Sequence, residues 1–532
     1  MKHEELIPMM QGLIKRWIDV PQNVHYLDQD LVAKPHYISI LYKESEMPNI
    51  AILNGHRVLT NPLLRSGFSI KTMIGDKKQG YGTGRVARNS LPRNTNAIQN
   101  LMDLTFDCSL KNALLSYNAN IGDTISLNVE NGFFHMSDDP VKGYIANEKS
   151  VGKIPTELVN TLIDWSKEVN SQKHVPQNNI NLISNKELRS FADSQGRMIQ
   201  DYSFAGDIKI SLLVTHDKQF EMNFLESMPV IENWNKPIPL LEKKLEMIIK
   251  HSFNLKSASI PISDQYPVLF SGESMGTLFH EALGAHLLSG KYVTEGSSTT
   301  FRGQIGKQIL PDFLTIIDDP QMKGSYGYFK YDDEGIEGKK IVLIKDGVLK
   351  NYLLDRDSAY ALKSLSNGHA RMEWVVLQDE FGTLSASHPE PRVGNLNILS
   401  SKCIPDNELV EYMKKYCVDN KHECGLYIES GSGRVLMESG EFRLYPQRAW
   451  KIFPDGKKEY ITNFMVIGNP YEMLKQIAIT GTSRKISHGI CGSTSGGIRT
   501  QEIAPAAFLP RVSIQAIEPV YEKERLLERL KD

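Results

Sequence analysis

The stretch SGESMGTLFHEALGAHLLSG, residues 271–290, carries two chemical signatures at once. Gly272-Glu273-Ser274-Met275-Gly276 fits the G-x-S-x-G elbow of serine hydrolases, in which a strand turns sharply into a helix. YPVLFSG before Ser274 reads as a strand and MGTLFHEALGAHLL after it as a helix, so the local context is met. A second pattern begins at His280-Glu281 and ends at His286. Adjacent His-Glu on a helix supplies one zinc ligand and one general base, and zinc asks for three protein ligands plus an open position. The usual second ligand stands four residues on. His286 stands six on, about 120° around and about 9 Å along a straight helix. A break at Gly284 is what would bring the two onto one metal. Each signature has a plain structural alternative: a tight turn feeding a helix, and an amphipathic helix with two unrelated histidines.

The rest of the chain bears on this choice. A serine hydrolase of the α/β type alternates strands and helices, whereas the second half here reads as β-hairpins. IVLIKDGVLKNYLL turns at Asp346-Gly347 and AWKIFPDGKKEYI at Asp455-Gly456. Asn469-Pro470 opens a helix, with Asn as cap and Pro in the first turn. In the first half, residues 5–18 read as an amphipathic helix. YISILY and IAILNGHRVLTN suggest a ladder with a hairpin at Asn54-Gly55, continued by residues 68–84. The cluster Gly80 to Gly84 lacks the spacing of a phosphate loop and reads as a turn. Residues 93–117 look helical, capped by Asn94 or Thr95, with Cys108 in the core. Helix and strands mix from 150 to 225. Pro229, Pro237 and Pro239 mark a connection, and a helix follows with Leu241, Leu245, Ile248 and Ile249 on one face. We place a boundary near residue 230, giving domains 1–230 and 231–532.

Composition excludes some classes. Of 532 residues, 41% are hydrophobic and 23% charged, which is ordinary for a globular chain. A formal net charge of -2 leaves no basic footprint for nucleic acid. No apolar run approaches the length of a membrane span, and MKHEELIPMMQ is not a secretory signal, so a cytoplasmic protein is expected. The five cysteines are few and odd in number, which argues against a disulfide framework. Cys417, His422 and Cys424 lie close in sequence, but their spacing matches no metal site and reads as structural.

The chain resembles the TldD/PmbA (TldD/TldE, modulator-of-gyrase) family of metallopeptidases. The family's helix motif H-E-x-x-x-H, as in FHEALGHRLEGH, is matched by FHEALGAHLLSG. TFRGQIGKQILPDFLTIIDDP, YDDEGIEGKKIVLIKDGVLKNYLL, SNGHARMEW, PEPRVGNL, HGICGSTSGG and PRVSIQAIEP follow in the family's order. RSGFSIKTMIGDKKQGYGTG looks like its N-terminal hairpin region, so the likeness spans most of the chain. It implies an α+β fold of two sheet-containing domains, the C-terminal one rich in β-hairpins. It implies a zinc ion held by both histidines of the helix motif and by the cysteine of the Cys-Gly motif. On this chain these are His280 and Cys491, with Glu281 as catalytic base. At the position of the second histidine stands Ala285, followed by His286. Two readings stay open: His286 takes the ligand place after an adjustment at Gly284, or the site is degenerate.

The function so implied is zinc-assisted hydrolysis of short or unfolded peptides, in some relatives during maturation of a modified peptide or natural product. The implied assembly is a homodimer, or a heterodimer with a TldD/TldE-like paralogue. The alternative is a metal-poor, non-catalytic subunit of such a heterodimer. A serine hydrolase using Ser274 ranks last.

Overall fold

The computed structural model describes residues 3–18, 21–26, 29–58, 62–76, 80–89, 91, 92, 94–120, 143–146, 153–218, 221–231, 234, 238–284, 288–295, 301–378, 384–436 and 441–518. The fold is α+β, built on two large sheets. The first runs antiparallel in the order Glu221–Ile231, Met198–Thr215, Gln177–Asp193, Tyr37–Met47, Leu63–Asp76, Gly80–Asn89. Side chains alternate across a strand, so one strand serves two layers. In Tyr37–Met47, Ile38, Ile40 and Tyr42 pack with residues of the helices His3–Ile18 and Thr95–Asn120. The helices Thr156–Asn170 and Ile238–Lys256 form a second core on the same face of the sheet, toward its Glu221–Ile231 edge. Leu41 faces the opposite way, into a cluster with Met372 and Trp374 of the second half of the chain.

That second face is bound by charge as well as by apolar contact. Lys43 meets Asp333 at 3.1 Å, Lys71 meets Glu334 at 3.3 Å, and Arg356 meets Asp193 at 3.5 Å, all buried. A buried charge is tolerated only with a partner, so these residues come in pairs drawn from both halves of the chain. Among the described residues Asp355 has no such cation. Burial, with Asp357 and Glu334 nearby, pushes its carboxyl up to about 8. A raised value in the fold means that Asp355 favours folding in its protonated form. That contribution is complete below the unfolded value, near 4, and is lost as pH rises through about 8. Oδ1 accepts from the Ser358 N–H and hydroxyl, which an Asn oxygen can also do. Asp355→Asn is therefore expected to melt close to the parent at pH 5 and at least about 2 °C above it at pH 9. An equal gap at both pH values in calorimetry would refute this.

The second sheet closes on itself. Asp264–Phe270 pairs with Gly425–Leu436 on one side and Gly496–Ala516 on the other. Glu441–Ile452 and Phe464–Gly468 complete the ring into a barrel. The long strand Gly496–Ala516 runs on past the barrel as a hairpin with Ile479–Ser493. Among the described residues no helix is long and apolar enough to cross a membrane.

Several local readings of the sequence hold. Asn54-Gly55 and Asp346-Gly347 have φ of 48° and 80°, and 49° and 74°, as a primed hairpin turn requires. Asn94 Oδ1 caps its helix through the Asn96 N–H, and Asn469 caps Pro470–Lys475. Two readings do not hold. The Gly80 to Gly84 cluster is strand, not turn. Gly84 belongs there because a Cβ would collide with the Ser109 carbonyl oxygen of the helix Thr95–Asn120. Cys108 is exposed: Ile98, Met102, Phe106, Leu110 and Ala113 form that helix's buried face, and position 108 lies off it.

Candidate metal and catalytic site

The strand Asp264–Phe270 ends at Ser271, whose hydroxyl accepts the N–H groups of Glu273 and Ser274 and so caps the helix Gly272–Phe279. Ser274 is fully buried, and its hydroxyl donates to the Ile428 carbonyl at 2.8 Å. Among the described residues no histidine bonds it, so the elbow reading fails. The glycines have a packing reason instead. Gly272 and Gly276 lie one turn apart and face the strand Gly496–Ala516. A Cβ on Gly272 would collide with the Ala504 oxygen. One on Gly276 would collide with Ser487 Oγ and stand 3.0 Å from Glu502 Cβ. The close approach lets the end of the helix reach Glu502. Ala is normally better than Gly within a helix by about 1 kcal/mol. Here Gly276→Ala is expected to reverse that sign and cost about 1–3 kcal/mol. A variant more stable than the parent in urea unfolding would mean that helix and strand do not touch at this point.

At His280 the helix widens into a π-helix, His280–Gly284, and the Leu288 N–H continues the pattern by bonding the Leu283 carbonyl at 2.9 Å. The winding thus leaves the α pattern at His280 itself, before Gly284. Such π segments recur at functional sites, because residues five apart, not four, come to share a face. His280 is buried, and its Nδ1 lies 2.6 Å from Glu502 Oε1. Cys491, near the tip of the hairpin, lies close enough to the same imidazole for each to shift the other's ionisation. Strand register explains the meeting. Cys491 stands opposite Ile498 and Ser487 opposite Glu502, so Cys491, Ser487 and Glu502 share one face of the hairpin. Ser487 donates to the second oxygen of Glu502 at 3.2 Å.

The electrostatics of the pair are mutual. Burial lowers the basicity of His280, but Cys491 and Glu502 outweigh it and hold the imidazole well above its ordinary value. Burial pushes the Cys491 thiol up, and His280 and Arg392 outweigh that and bring it below its ordinary value. Arg392 also donates to the Cys491 carbonyl, and to Ser495 Oγ at 2.7 Å. With Nδ1 held by Glu502, Nε2 is the ring nitrogen left for a metal. An imidazole oriented by a carboxylate, beside a thiol that ionises easily, is a donor set that suits zinc. Glu281, next to His280, lies beside Gly433 and accepts the Val435 N–H of the barrel strand. Burial raises its carboxyl, against His280 and with Glu502 adding to the rise.

The structure thus brings His280 and Cys491 together, with Glu281 beside His280 on the π-helix and turned to the barrel strand. Ala285 and His286 lie outside the described residues, and among the described residues no three His, Cys, Asp or Glu side chains gather as a metal-holding group. Glu273 pairs with Arg448 at 3.7 Å. His488 faces the reverse side of the hairpin from Cys491, against the Tyr326 ring. Neither replaces a ligand. Cys417 packs with Leu409, Met413 and Phe508, and His422 stacks on Tyr416, as a structural role for that cluster requires. Two residues escape a reading of the sequence. Glu502 meets His280 only through the barrel. Arg392 carries a faint signal, as a lone cation in the apolar run PEPRVGNL.

Comparison with known proteins bears on the family and the fold. Residues 263–515 match the PmbA/TldA metallopeptidase C-terminal domain. The chain is 27% identical over 411 residues to a metalloprotease TldD homolog of Buchnera aphidicola, covering 73% of this chain and 76% of that one. It is 24% identical over 370 residues to a zinc metalloprotease TldD homolog of Saccharolobus solfataricus, covering 69% and 77%. The crystal structure of TldE from Thermococcus kodakarensis superposes with a TM-score of 0.63 at 15% identity, over 96% of this chain and all of that one, and so shares its fold. A matching metallopeptidase domain around His280 and Cys491, relatives that cover about seven tenths of the chain, and a fold shared over nearly all of it indicate the TldD/PmbA family.

Proposed function

We propose that this chain is a zinc-dependent peptidase or amide hydrolase acting on short or unfolded peptides, in the maturation of a modified peptide or natural product. The observation that carries the reading is the buried His280–Cys491 pair with Glu502 behind the imidazole. His280 and Cys491 would hold the metal, with His286 as the third ligand. Zinc supplies a Lewis acid for an amide carbonyl and for water. The chain's own residues do the rest. Glu502 fixes the ring of His280 and keeps Nδ1 occupied. Arg392 and His280 favour the thiolate of Cys491. Glu281, its carboxyl raised by burial, takes the proton from the attacking water and returns it to the leaving amine. An extended peptide presented to the barrel's strands would be held by its backbone more than by its side chains. The chain would assemble as a homodimer or with a TldD/TldE-like paralogue, and the fold shared with TldE is in keeping with the second.

The reading is tested by incubating zinc-loaded protein with a mixture of short peptides and following products by mass spectrometry. New fragments should appear, vanish with a chelator and return with added zinc, while a folded protein stays uncut. No fragments under any of these conditions would sink the hydrolase reading.

A further inference from the structure

Between the two sheets lies a cleft of about 660 Å³, the size of a small-molecule site. One wall comes from the strands Gln177–Asp193 and Met198–Thr215, with Arg189, Asp201 and Ser203. The other comes from residues 323–330 and 371–373, with Tyr326, Tyr328 and Phe329, and from Gly497, Ile498 and Arg499. The lining carries seven Lys or Arg side chains against four Asp or Glu. All four carboxylates are engaged. Asp201 and Asp333 meet Arg189, Asp333 and Glu187 meet Lys43, and Glu373 accepts the Gly497 N–H.

Lys330 lies 3.8 Å over the Tyr144 ring. Among the described residues Arg371, Arg499 and Lys323 have no carboxylate within ion-pairing distance. Arg371 is held for a purpose other than a salt bridge. Its Nη1 donates to the carbonyls of Val393 and Arg499, both at 2.9 Å, and its guanidinium lies 4.5 Å over the Phe329 ring. Burial, opposed by Asp333 and reinforced by Arg392 and Arg499, holds that guanidinium below the ordinary arginine value. Asp333, the carboxylate that opposes this burial, already meets Lys43 and Arg189, and the cleft has room for a further anion. Strand alternation keeps the cleft apart from the His280 site. Glu502 faces His280, while Arg499 and Gln501 point to the other side, where Gln501 Oε1 accepts the Tyr326 N–H at 3.1 Å.

We propose that this cleft binds a small organic anion, its carboxylate or phosphate on Arg371, Arg499 and Lys323 and a planar ring among the tyrosines and Phe329. The site is a second one, on the reverse face of the hairpin that carries Cys491, and it does not depend on the peptidase reading. Its ligand touches both halves of the chain and so braces one sheet against the other.

Calorimetric titration of the full chain with adenosine monophosphate, with hippurate and with inorganic phosphate tests this. One or both ring-bearing anions should bind saturably with Kd below about 1 mM, and inorganic phosphate at least about tenfold more weakly. Adenosine monophosphate alone would identify a phosphate ligand, hippurate alone a carboxylate ligand, and both the shared anion-and-ring chemistry. Arg499→Gln and Lys323→Gln, which leave the carbonyl contacts of Arg371 in place, should each weaken binding about tenfold at unchanged melting temperature. Three results overturn the proposal: no binding of any probe at about 5 mM, binding untouched by both substitutions, or inorganic phosphate binding as tightly as the ring-bearing anions.

Discussion

Replacing Glu281 with Gln is expected to lower peptide hydrolysis by about 10²–10⁴-fold while leaving fold and zinc content as they are. The carboxyl lies against the barrel strand and accepts the Val435 N–H, and burial holds it above the ordinary carboxylate range. A base raised in this way accepts a proton more readily at neutral pH than a free carboxylate does. Gln is nearly the same shape and still accepts the Val435 N–H, but it takes no proton. The loss should therefore fall on kcat, with KM little changed, because base catalysis acts only in the transition state. Equal kcat in the variant would remove Glu281 from the chemistry. A raised KM at constant kcat would make it a binding group.

The second large effect is on metal affinity. Glu502 touches no metal in this account and acts through His280, so Glu502→Gln should weaken zinc binding by about 10–100-fold. Cys491→Ala removes a ligand outright and should exceed that loss. The order of the two variants is the informative result, read by competition with a chromogenic chelator. A Cys491→Ala protein that binds zinc more tightly than Glu502→Gln would move the thiol out of the ligand set.

How much of this was legible in the sequence depended on whether the cause was local. The turns at Asn54-Gly55 and Asp346-Gly347 and the caps Asn94 and Asn469 act within four residues, and their residue types announce them. Gly272 and Gly276 were legible as glycines but not as to purpose. The spacing that makes a nucleophile elbow also lets a helix lie against a strand, and only Ala504, Ser487 and Glu502, far along the chain, decide between the two. Cys108 was misplaced although the pattern Ile98, Met102, Phe106, Leu110 puts it outside the buried stripe. Glu502 was not legible at all, because its partner stands 222 residues away and only barrel closure joins them. The π-helix at His280 was equally hidden. Gly284 pointed to a break, but nothing in HEALG says that the wider winding begins at its first residue.

The most direct test of the central claim is the zinc content of the purified protein by mass spectrometry, beside His280→Ala, His286→Ala and Cys491→Ala. The parent is expected to hold about one zinc per chain and all three variants to lose it, with His286 filling the place that Ala285 leaves open. No zinc in the parent, even after incubation with the metal, would contradict it and leave a subunit that depends on an intact paralogue for catalysis.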